Sequence, residues 1–401
     1  MPTYLVDLAD PLPAHLADEL AKRVYYLAVD IDSFTLVHVG DQVTGVQITT
    51  VGAADRDVLA RKLDQVSRAE VLPQRMTAAE PVWTSPHPAV PVSGVYDELL
   101  ELGAVVEMGP GAVATGALFT DVLDALDRRV QAIAVERFGA VQYRYPTLIS
   151  TSALRQGGYL TSFPQFVLSA SHLSPDLDVY REFADGVAGS EDPAGLSELF
   201  ERGSAHAGYC LAPTMCFHTY LQFAGRRLPA EPTVVTSRGK SFRFESRYSR
   251  SLERLWDFTI REVVFLGEAA TVARQRQEFL DAACALVEEL GLAGHVEPAN
   301  DPFFAGAEVP TRMLAQRLRR LKYELRLPVE DGRTVAAASF NVHGTTFGEP
   351  YGIALPDGGT AYSACVGFGL ERFAFAFFCR YGTRPDRWPV RIRELLDERH
   401  P

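Results

Sequence analysis

Short runs of alternating hydrophobic and polar positions open the chain. Their periods, near two for strands and near 3.6 for helices, predict several elements before residue 70. These are a strand at 3–7, a helix at 14–27, two strands within 34–51 around the Gly40-Asp41 turn, and a helix at 55–69. The order β-α-β-β-α indicates a small N-terminal α/β domain.

A proline-rich stretch follows from Pro81 to Pro91 and predicts a linker. Helical periodicity returns at 94–103, and Gly109-Pro110-Gly111 then interrupts the chain. We therefore expect two domains, a small one over residues 1–105 and a larger one over residues 106–401.

The larger predicted domain combines hairpin strands with longer helices. We expect helices at 118–137, 175–203, 268–290 and 311–320, with another beginning near 370. The expected strands lie at 240–248, 256–266, 334–343 and 360–367. Strands joined mainly as hairpins, with helices outside them, favour an antiparallel sheet in an α+β fold.

Composition limits the size, compartment and partners of the protein. Of its 401 residues 47% are hydrophobic, which supports a well-buried core. The chain has five cysteines, an odd number, and it has neither a basic and apolar leader nor a long apolar stretch. These features predict a cytoplasmic protein with reduced thiols and no membrane span. The net charge of −12 argues against the broad basic surface that tRNA binding usually needs.

Two separated signatures carry the candidate chemistry. Arg243-Phe244-Glu245 reads as a strand with an arginine and a carboxylate on one face. The second signature, residues 367–372 (GFGLER), reads as a strand-to-helix turn that ends in Arg372. Two arginines held on a rigid sheet suit a bent nucleoside triphosphate, and the chain contains neither a P-loop nor a GxGxxG sequence.

These signatures resemble motifs 2 and 3 of class II aminoacyl-tRNA synthetases. Phe138 through Pro146 resembles motif 1, the dimer seam, and Leu255 through Glu262 resembles the return strand of motif 2 in the seryl branch. Closer resemblances point to the amino acid:[carrier protein] ligases, which are truncated seryl-tRNA synthetase homologues. These lie at Ser162-Phe163-Pro164, Met215 to Tyr220, Asp301 to Phe304 and Ser339 to His343.

The resemblance covers roughly residues 110–395 and implies a class II synthetase-like fold, a homodimer and a two-step reaction. ATP with Mg²⁺ would activate a small amino acid as its adenylate, and the phosphopantetheine thiol of an acidic carrier protein would accept the aminoacyl group. The implied catalytic residues are Arg243 on the α-phosphate and Arg372 on the γ-phosphate. Further implied contacts are Glu245, Arg254, Phe258 and Glu349 for the nucleotide and Ser339 and Asn341 for the substrate.

A metal site is predicted from Cys216, Glu262 and Cys365, each of which we place on a different strand. A carboxylate in an apolar strand needs a partner, and two thiolates with one carboxylate suit a catalytic zinc with an open fourth position. The same trio is the zinc site of the ligases that the chain resembles. The alternative is that both cysteines are small buried hydrophobic residues, as we expect for Cys210, Cys284 and Cys379.

Several alternatives stay open at this point. The protein could be a divergent seryl-like tRNA synthetase or an inert synthetase-like paralogue. The family's usual acidic magnesium ligand is missing from 335–338, which leaves Glu324 and Glu349 as substitutes. The basic run from Arg312 through Arg317, Arg319 and Arg320 to Lys322 is either a solvated face or a docking site for the carrier. Because every motif follows residue 110, we expect the N-terminal domain to lie outside the active site.

Overall fold

The protein was analysed as a computed structural model that describes residues 1–72, 80–90, 93–189, 193–245, 252–299 and 321–397. The predicted helix at 311–320, the resemblance at 301–304 and the four arginines of the basic run lie outside these residues. In the part of the chain that is described, no helix is long and apolar enough to cross a membrane.

The N-terminal unit has the predicted element order. Three antiparallel strands form a sheet in the order β1-β3-β2, and two helices complete the unit. Leu20 and Leu63, one from each helix, are fully buried together with Val6, Val46 and Ile48 of the sheet. The bounds are β1 Thr3–Pro13, α1 Ala17–Val24, β2 Ile31–Val39, β3 Gln42–Thr50 and α2 Arg56–Val66.

An eight-stranded sheet forms the centre of the rest of the chain, in the order β4-β13-β14-β15-β16-β12-β11-β7. All neighbouring pairs are antiparallel except β7 with β11, so the predicted α+β fold with an antiparallel sheet is confirmed. The strands are β4 Trp83–Thr84, β7 Val141–Tyr143, β11 Thr233–Phe242, β12 Asp257–Gly267, β13 His295–Pro298, β14 Lys322–Pro328, β15 Thr334–Gly344 and β16 Tyr362–Gly369.

Successive residues of the central strands face opposite sides of this sheet. Val263 and Phe265 of β12 are fully buried beneath the long helices, in the same core as Val366 of β16. Val264 and Cys365 face the other side and belong to a second, aromatic cluster. The helices on the first side are α4 Ala117–Ala132, α10 Ala269–Glu289 and α12 Leu370–Tyr381.

Smaller elements surround the second side or connect the sheet. The remaining strands are β5 Val105–Gly109 and β6 Ala112–Thr115, which form a hairpin, and β8 Leu148–Ser150, β9 Ser169–Leu173 and β10 Ser204–Leu211, which form a three-stranded sheet. The remaining helices are α3 Val95–Glu101, α5 Thr151–Gln156, α6 Tyr159–Ser162, α7 Leu177–Gly189, α8 Pro193–Gly203, α9 Cys216–Gln222, α11 Gly348–Tyr351 and α13 Val390–Asp397. The single helix expected at 175–203 is therefore two helices.

The predicted linker from Pro81 to Pro91 is wrong in its first half, because this segment adds a strand to the large sheet. Trp83 and Thr84 pair with β13, and the Ser85 amide donates to the Gly294 carbonyl at 2.8 Å. Leu99 of α3 is fully buried in the core beneath the long helices. The domain boundary near residue 105 stays a prediction, but these contacts join residues 82–105 to the large sheet.

Candidate active site and metal centre

The second face of the large sheet brings the predicted site residues into register. Glu262 lies opposite Gly367, and Cys365 lies opposite both Val264 and Asn341. A side chain at Gly367 would crowd this face, since its Cβ would lie 3.1 Å from Ile260 Cδ1.

The three predicted metal ligands form one buried cluster. Ligand atoms of Cys216, Glu262 and Cys365 all lie within 4.8 Å of one another. The expected strand at Cys216 is wrong, because Cys216 is the first residue of α9. Its backbone amide donates to Glu262 Oε2 at 2.5 Å, and the Thr214 hydroxyl donates to Glu262 Oε1 at 2.6 Å. Thr214, which the sequence analysis did not identify, thus fixes the carboxylate from the loop before the helix.

The cluster concentrates acidic groups in a buried place. Burial, and after it the charge of the neighbouring Cys365, raise the pKa of Glu262 to about 7. A hydrogen bond between the two thiols raises the pKa of Cys216 and lowers that of Cys365, whose thiolate accepts it. Burial and the charge of Cys365 disfavour the ionised forms of Glu262 and Cys216, which a divalent cation would favour. Two sulfurs with one carboxylate oxygen match the donor set of zinc.

Polar side chains from β15 border the cluster. Asn341 Nδ2 donates to Cys365 Sγ at 3.5 Å and to the Ser339 hydroxyl at 3.3 Å. His343 Nε2 lies 3.6 Å from Cys365 Sγ, and its Nδ1 lies 3.3 Å from the Tyr220 hydroxyl. The two residues predicted to contact substrate, Ser339 and Asn341, thus lie beside the predicted metal ligand Cys365.

His218 does not share this position. Cys216 and His218 both belong to α9, where positions two apart point in different directions. The His218 ring stacks on Tyr145 with 5.4 Å between centroids, and burial lowers its pKa to about 4. His218 is therefore a neutral packing residue.

The first arginine signature lies in a turn and not in the predicted strand. Strand β11 ends at Phe242, and the Glu245 amide donates to the Arg243 carbonyl at 2.7 Å. Even so, Arg243 and Glu245 face each other, with Nη1 and Oε1 3.9 Å apart. The Arg243 guanidinium lies 4.9 Å from the centre of the Phe258 ring, in a cation–π contact.

Positive charges surround the Glu245 carboxylate, which is almost fully buried. Burial alone would raise its pKa, but Arg254, Arg243 and Arg372 together hold the pKa below its usual value. The closest contact is Arg254 Nη1 to Glu245 Oε2 at 2.8 Å. Glu245 is therefore ionised and holds the arginines in one group.

Arg372 approaches the same group from the start of α12. Its Nε donates to the Glu253 carbonyl at 2.6 Å, and Nη1 donates to the Ala336 carbonyl at 3.2 Å. Burial lowers its pKa, while the charges of Glu245 and Glu324 oppose that shift. Glu324 lies on β14 opposite Ser339, so it faces the site.

Glu349 occupies a different place. It is exposed on α11 and, within the described residues, makes no hydrogen bond or ion pair with the arginine group. Its predicted role at the nucleotide stays a prediction. Lys322, by contrast, is buried and pairs with Glu324 at 3.2 Å, so it is not the exposed end of a basic run.

The N-terminal unit also contacts the aromatic cluster on the second side of the sheet. Tyr26, which follows α1, packs against the aromatic cluster that contains Cys216 and Cys365. Tyr159 of α6 belongs to the same cluster. The sequence contains no signal for either residue, because an aromatic side chain at a helix end is usually part of a core.

The sheet and its two arginine signatures define a class II aminoacyl-tRNA synthetase fold. The chain superposes on the solved M. kandleri seryl-tRNA synthetase in complex with A. aeolicus tRNASec with a TM-score of 0.71 at 22% identity, covering 98% of this chain and 77% of that one. The cytoplasmic serine-tRNA ligase of Naegleria fowleri matches with a TM-score of 0.59 at 11% identity, over 86% and 72%. No established family profile matches the chain.

Curated relatives narrow the class. The chain is 32% identical over 323 residues to amino acid–[acyl-carrier-protein] ligase 2 of Bradyrhizobium diazoefficiens. The match covers 79% of this chain and 90% of that protein. Ligase 1 of the same organism is 30% identical over 78% and 92% of the two chains. The protein therefore belongs to the amino acid:[carrier protein] ligase family. The type-2 serine–tRNA ligase of Methanococcus aeolicus is 29% identical, but the match spans only 54% of its length.

Proposed function

We propose that this protein is an ATP-dependent ligase that activates a small amino acid and transfers it to the phosphopantetheine thiol of a carrier protein. The main support is one observation. A buried cluster of two thiols and a carboxylate lies within electrostatic reach of Arg243, which belongs to a group of arginines that can bind phosphates. The relatives named as amino acid–[acyl-carrier-protein] ligases agree with this arrangement.

In the first step, a carboxylate oxygen of the amino acid attacks the α-phosphorus of ATP. A new O–P bond forms, the bond from that phosphorus to the bridging oxygen breaks, and pyrophosphate leaves with the electron pair. Arg243 and Arg372 would neutralise charge on the α- and γ-phosphates, and Phe258 would stack on the adenine. Catalysis then depends on position and charge, without a nucleophile from the protein.

In the second step, the carrier thiolate attacks the carbonyl carbon of the adenylate. A C–S bond forms, the C–O bond to the phosphate breaks, and AMP leaves. Ser339 and Asn341 would contact the amino acid during both steps, since they border Cys365. Zinc held by Cys216, Glu262 and Cys365 would supply an open fourth position for a free α-amine.

Magnesium is expected to accompany ATP, and Glu324 is our candidate for its protein ligand. Glu324 faces the site and acts electrostatically on Arg372, whereas Glu349 lies outside the arginine group. Homodimer formation and a cytoplasmic location remain predictions. The proposed docking of the carrier on the basic run concerns residues 312–320, which are outside the described part of the chain.

Charging of a tRNA is the second candidate function. It is favoured by the superposition of 98% of the chain, N-terminal unit included, on a tRNA-bound seryl-tRNA synthetase. The net charge of −12 weighs against it, because tRNA binding needs many phosphate contacts.

One experiment separates the two. Amino-acid-dependent pyrophosphate exchange, screened over the twenty common amino acids and small nonproteinogenic ones, identifies the substrate. The activated amino acid is then offered to a holo carrier protein, its apo form and total tRNA. We expect a thioester on the holo carrier only. Efficient aminoacylation of tRNA would overturn the proposal.

A further inference from the structure

Tyr159 occupies a central position between the two halves of the site. It is the first residue of α6, its side chain is only 5% exposed, and Gly158 before it adopts a left-handed conformation with φ 72°. Its ring contacts Phe217, the neighbour of Cys216, with 5.4 Å between centroids at 80°. On its other side it contacts Phe163, with 5.3 Å between centroids.

The Tyr159 segment also reaches the arginine group. The Phe166 carbonyl, a short distance along the chain, accepts a hydrogen bond from the Phe244 amide at 3.1 Å. Phe244 lies between Arg243 and Glu245, so the segment from Tyr159 to Phe166 extends from the metal ligands to the nucleotide residues. The residues whose charges act on the Tyr159 phenol include Arg243, Glu245 and Cys216.

The hydroxyl of Tyr159 is buried and has no hydrogen-bond partner among the described residues. Two other buried tyrosines of the cluster differ in this respect. The Tyr351 hydroxyl donates to the Ala153 carbonyl at 2.8 Å, and the Tyr220 hydroxyl lies 3.3 Å from His343 Nδ1. A buried hydroxyl without a partner lowers the stability of a fold, so it needs an explanation.

A bound substrate supplies that explanation. In an α-amino acid only one carbon separates the amine from the carboxyl group, and the charge of Arg243 acts on Glu262 of the cluster. An amine bound at the cluster would therefore allow the carboxyl group to approach Arg243. The Tyr159 phenol lies within electrostatic reach of both residues. Burial raises its pKa, so the phenol is neutral and can donate a hydrogen bond to a carboxyl oxygen.

We propose that the Tyr159 hydroxyl is a substrate-binding group that donates a hydrogen bond to a carboxyl oxygen of the amino acid, between the metal ligands and Arg243. This inference rests on the proposed function and deepens it. The N-terminal unit covers the same region, because Tyr26 packs against the cluster that contains Tyr159.

The test compares Tyr159→Phe with Tyr351→Phe, because each removes one buried hydroxyl from the same cluster. Tyr159→Phe should lower kcat/KM for the amino acid by about tenfold or more in pyrophosphate exchange, with the KM for ATP nearly unchanged. Its melting temperature should stay equal or rise, because the lost hydroxyl has no hydrogen-bond partner among the residues that the structure describes. Tyr351→Phe should lower the melting temperature and keep kcat/KM, because it removes a buried hydrogen bond to the Ala153 carbonyl, which keeps only the Gly157 amide as a donor.

The possible results can be distinguished from one another. Wild-type protein without exchange on any amino acid would overturn the proposed function, and this inference with it. Active wild type together with a Tyr159→Phe variant whose kcat/KM lies within about twofold would overturn the inference and leave the function standing. A Tyr159→Phe variant that loses melting temperature along with activity would also overturn it, since the hydroxyl would then have a structural role.

Discussion

At the scale of single residues, the chemistry of the site depends on which charges share a buried space. Arg254, Arg243 and Arg372 surround Glu245 and keep it ionised. The carboxyl of Glu262, also fully buried, has two thiols as neighbours, and its pKa is raised to about 7. At one end of the site the buried glutamate Glu245 therefore forms ion pairs with arginines. At the other end a bound cation would favour the ionised form of Glu262.

Loss of either thiol should remove the metal and amino acid activation together. We expect Cys216→Ser and Cys365→Ser to lower zinc from one ion per chain to near none and to abolish pyrophosphate exchange, because a hydroxyl is a much weaker zinc ligand than a thiolate. The fold should persist, since a domain of this size does not depend on one ion. Elemental analysis and exchange assays provide the measurement.

The matched control is Cys284→Ser, a buried thiol of α10 that belongs to the core beneath the long helices. This variant should keep its metal, even if it loses some stability. Fully active wild-type protein that contains no zinc would remove the metal site from the proposal.

At the scale of elements, a hairpin tip holds the turn that carries Arg243. The Gly111 carbonyl, at the tip between β5 and β6, accepts a hydrogen bond from the Trp256 amide at 2.7 Å. The Trp256 carbonyl in turn accepts a hydrogen bond from the Arg243 amide at 3.0 Å. The Trp256 ring packs on the Phe244 ring, with 4.7 Å between centroids. The position of Arg243 thus depends on a segment far away in sequence.

Gly111→Ala should therefore impair ATP use. A Cβ at Gly111 would lie 2.4 Å from the Trp256 ring, so the ring and the Arg243 turn must shift. We expect the KM for ATP in pyrophosphate exchange to rise by about tenfold, because a misplaced phosphate contact costs roughly 1.4 kcal/mol or more.

Gly40→Ala in the β2–β3 turn is the control for backbone strain. Gly40 has a similar positive φ of 58°, but a Cβ there meets nothing within 4 Å. Both variants therefore lose stability because alanine disfavours the left-handed conformation, and only Gly111→Ala disturbs the Trp256 ring. Equal KM values for ATP in the two variants would show that the hairpin tip does not position Arg243.

At the scale of the whole molecule, the N-terminal unit and the large sheet are connected through residues that the sequence assigned to a linker. A truncated chain that starts at residue 106 does not test whether the large sheet can fold and function without the N-terminal unit. Such a chain also lacks β4 and the buried Leu99 of α3, which belong to the large sheet and its core. A chain that starts at residue 80 keeps both elements and removes only the N-terminal sheet, its helices and the residues that follow them.

We expect the chain from residue 80 to fold and to retain amino-acid-dependent exchange with a raised KM for the amino acid, because Tyr26 no longer covers the aromatic cluster. The chain from residue 106 should be insoluble or melt at least about 5 °C lower than the chain from residue 80. Circular dichroism melting and the exchange assay measure both effects. A soluble, folded but inactive chain from residue 80 would mean that the N-terminal unit completes the site.

Much of the fold was predictable because periodicity is a local property. The strands at 334–343 and 360–367, the helix near 370 and the N-terminal β-α-β-β-α order agree with β15, β16, α12 and the observed N-terminal elements. The predictions failed where a long-range contact determines local structure. Trp83 and Thr84 are a strand only because β13 pairs with them, and Cys216 begins a helix inside an apolar stretch that reads equally well as a strand.

The sequence by itself determined the residue types, the order of the motifs and, through them, the family. The tertiary structure decided which of these residues meet. Sheet register brings Glu262 beside Cys365, and the start of α9 adds Cys216, although no spacing rule links the three. Packing left the Tyr159 hydroxyl without a hydrogen-bond partner in the described part of the chain and brought Tyr26 against the same aromatic cluster. The physical reason is that strand and helix periods record only which face of an element is apolar, whereas burial, charge and distance between elements depend on how those faces pack together.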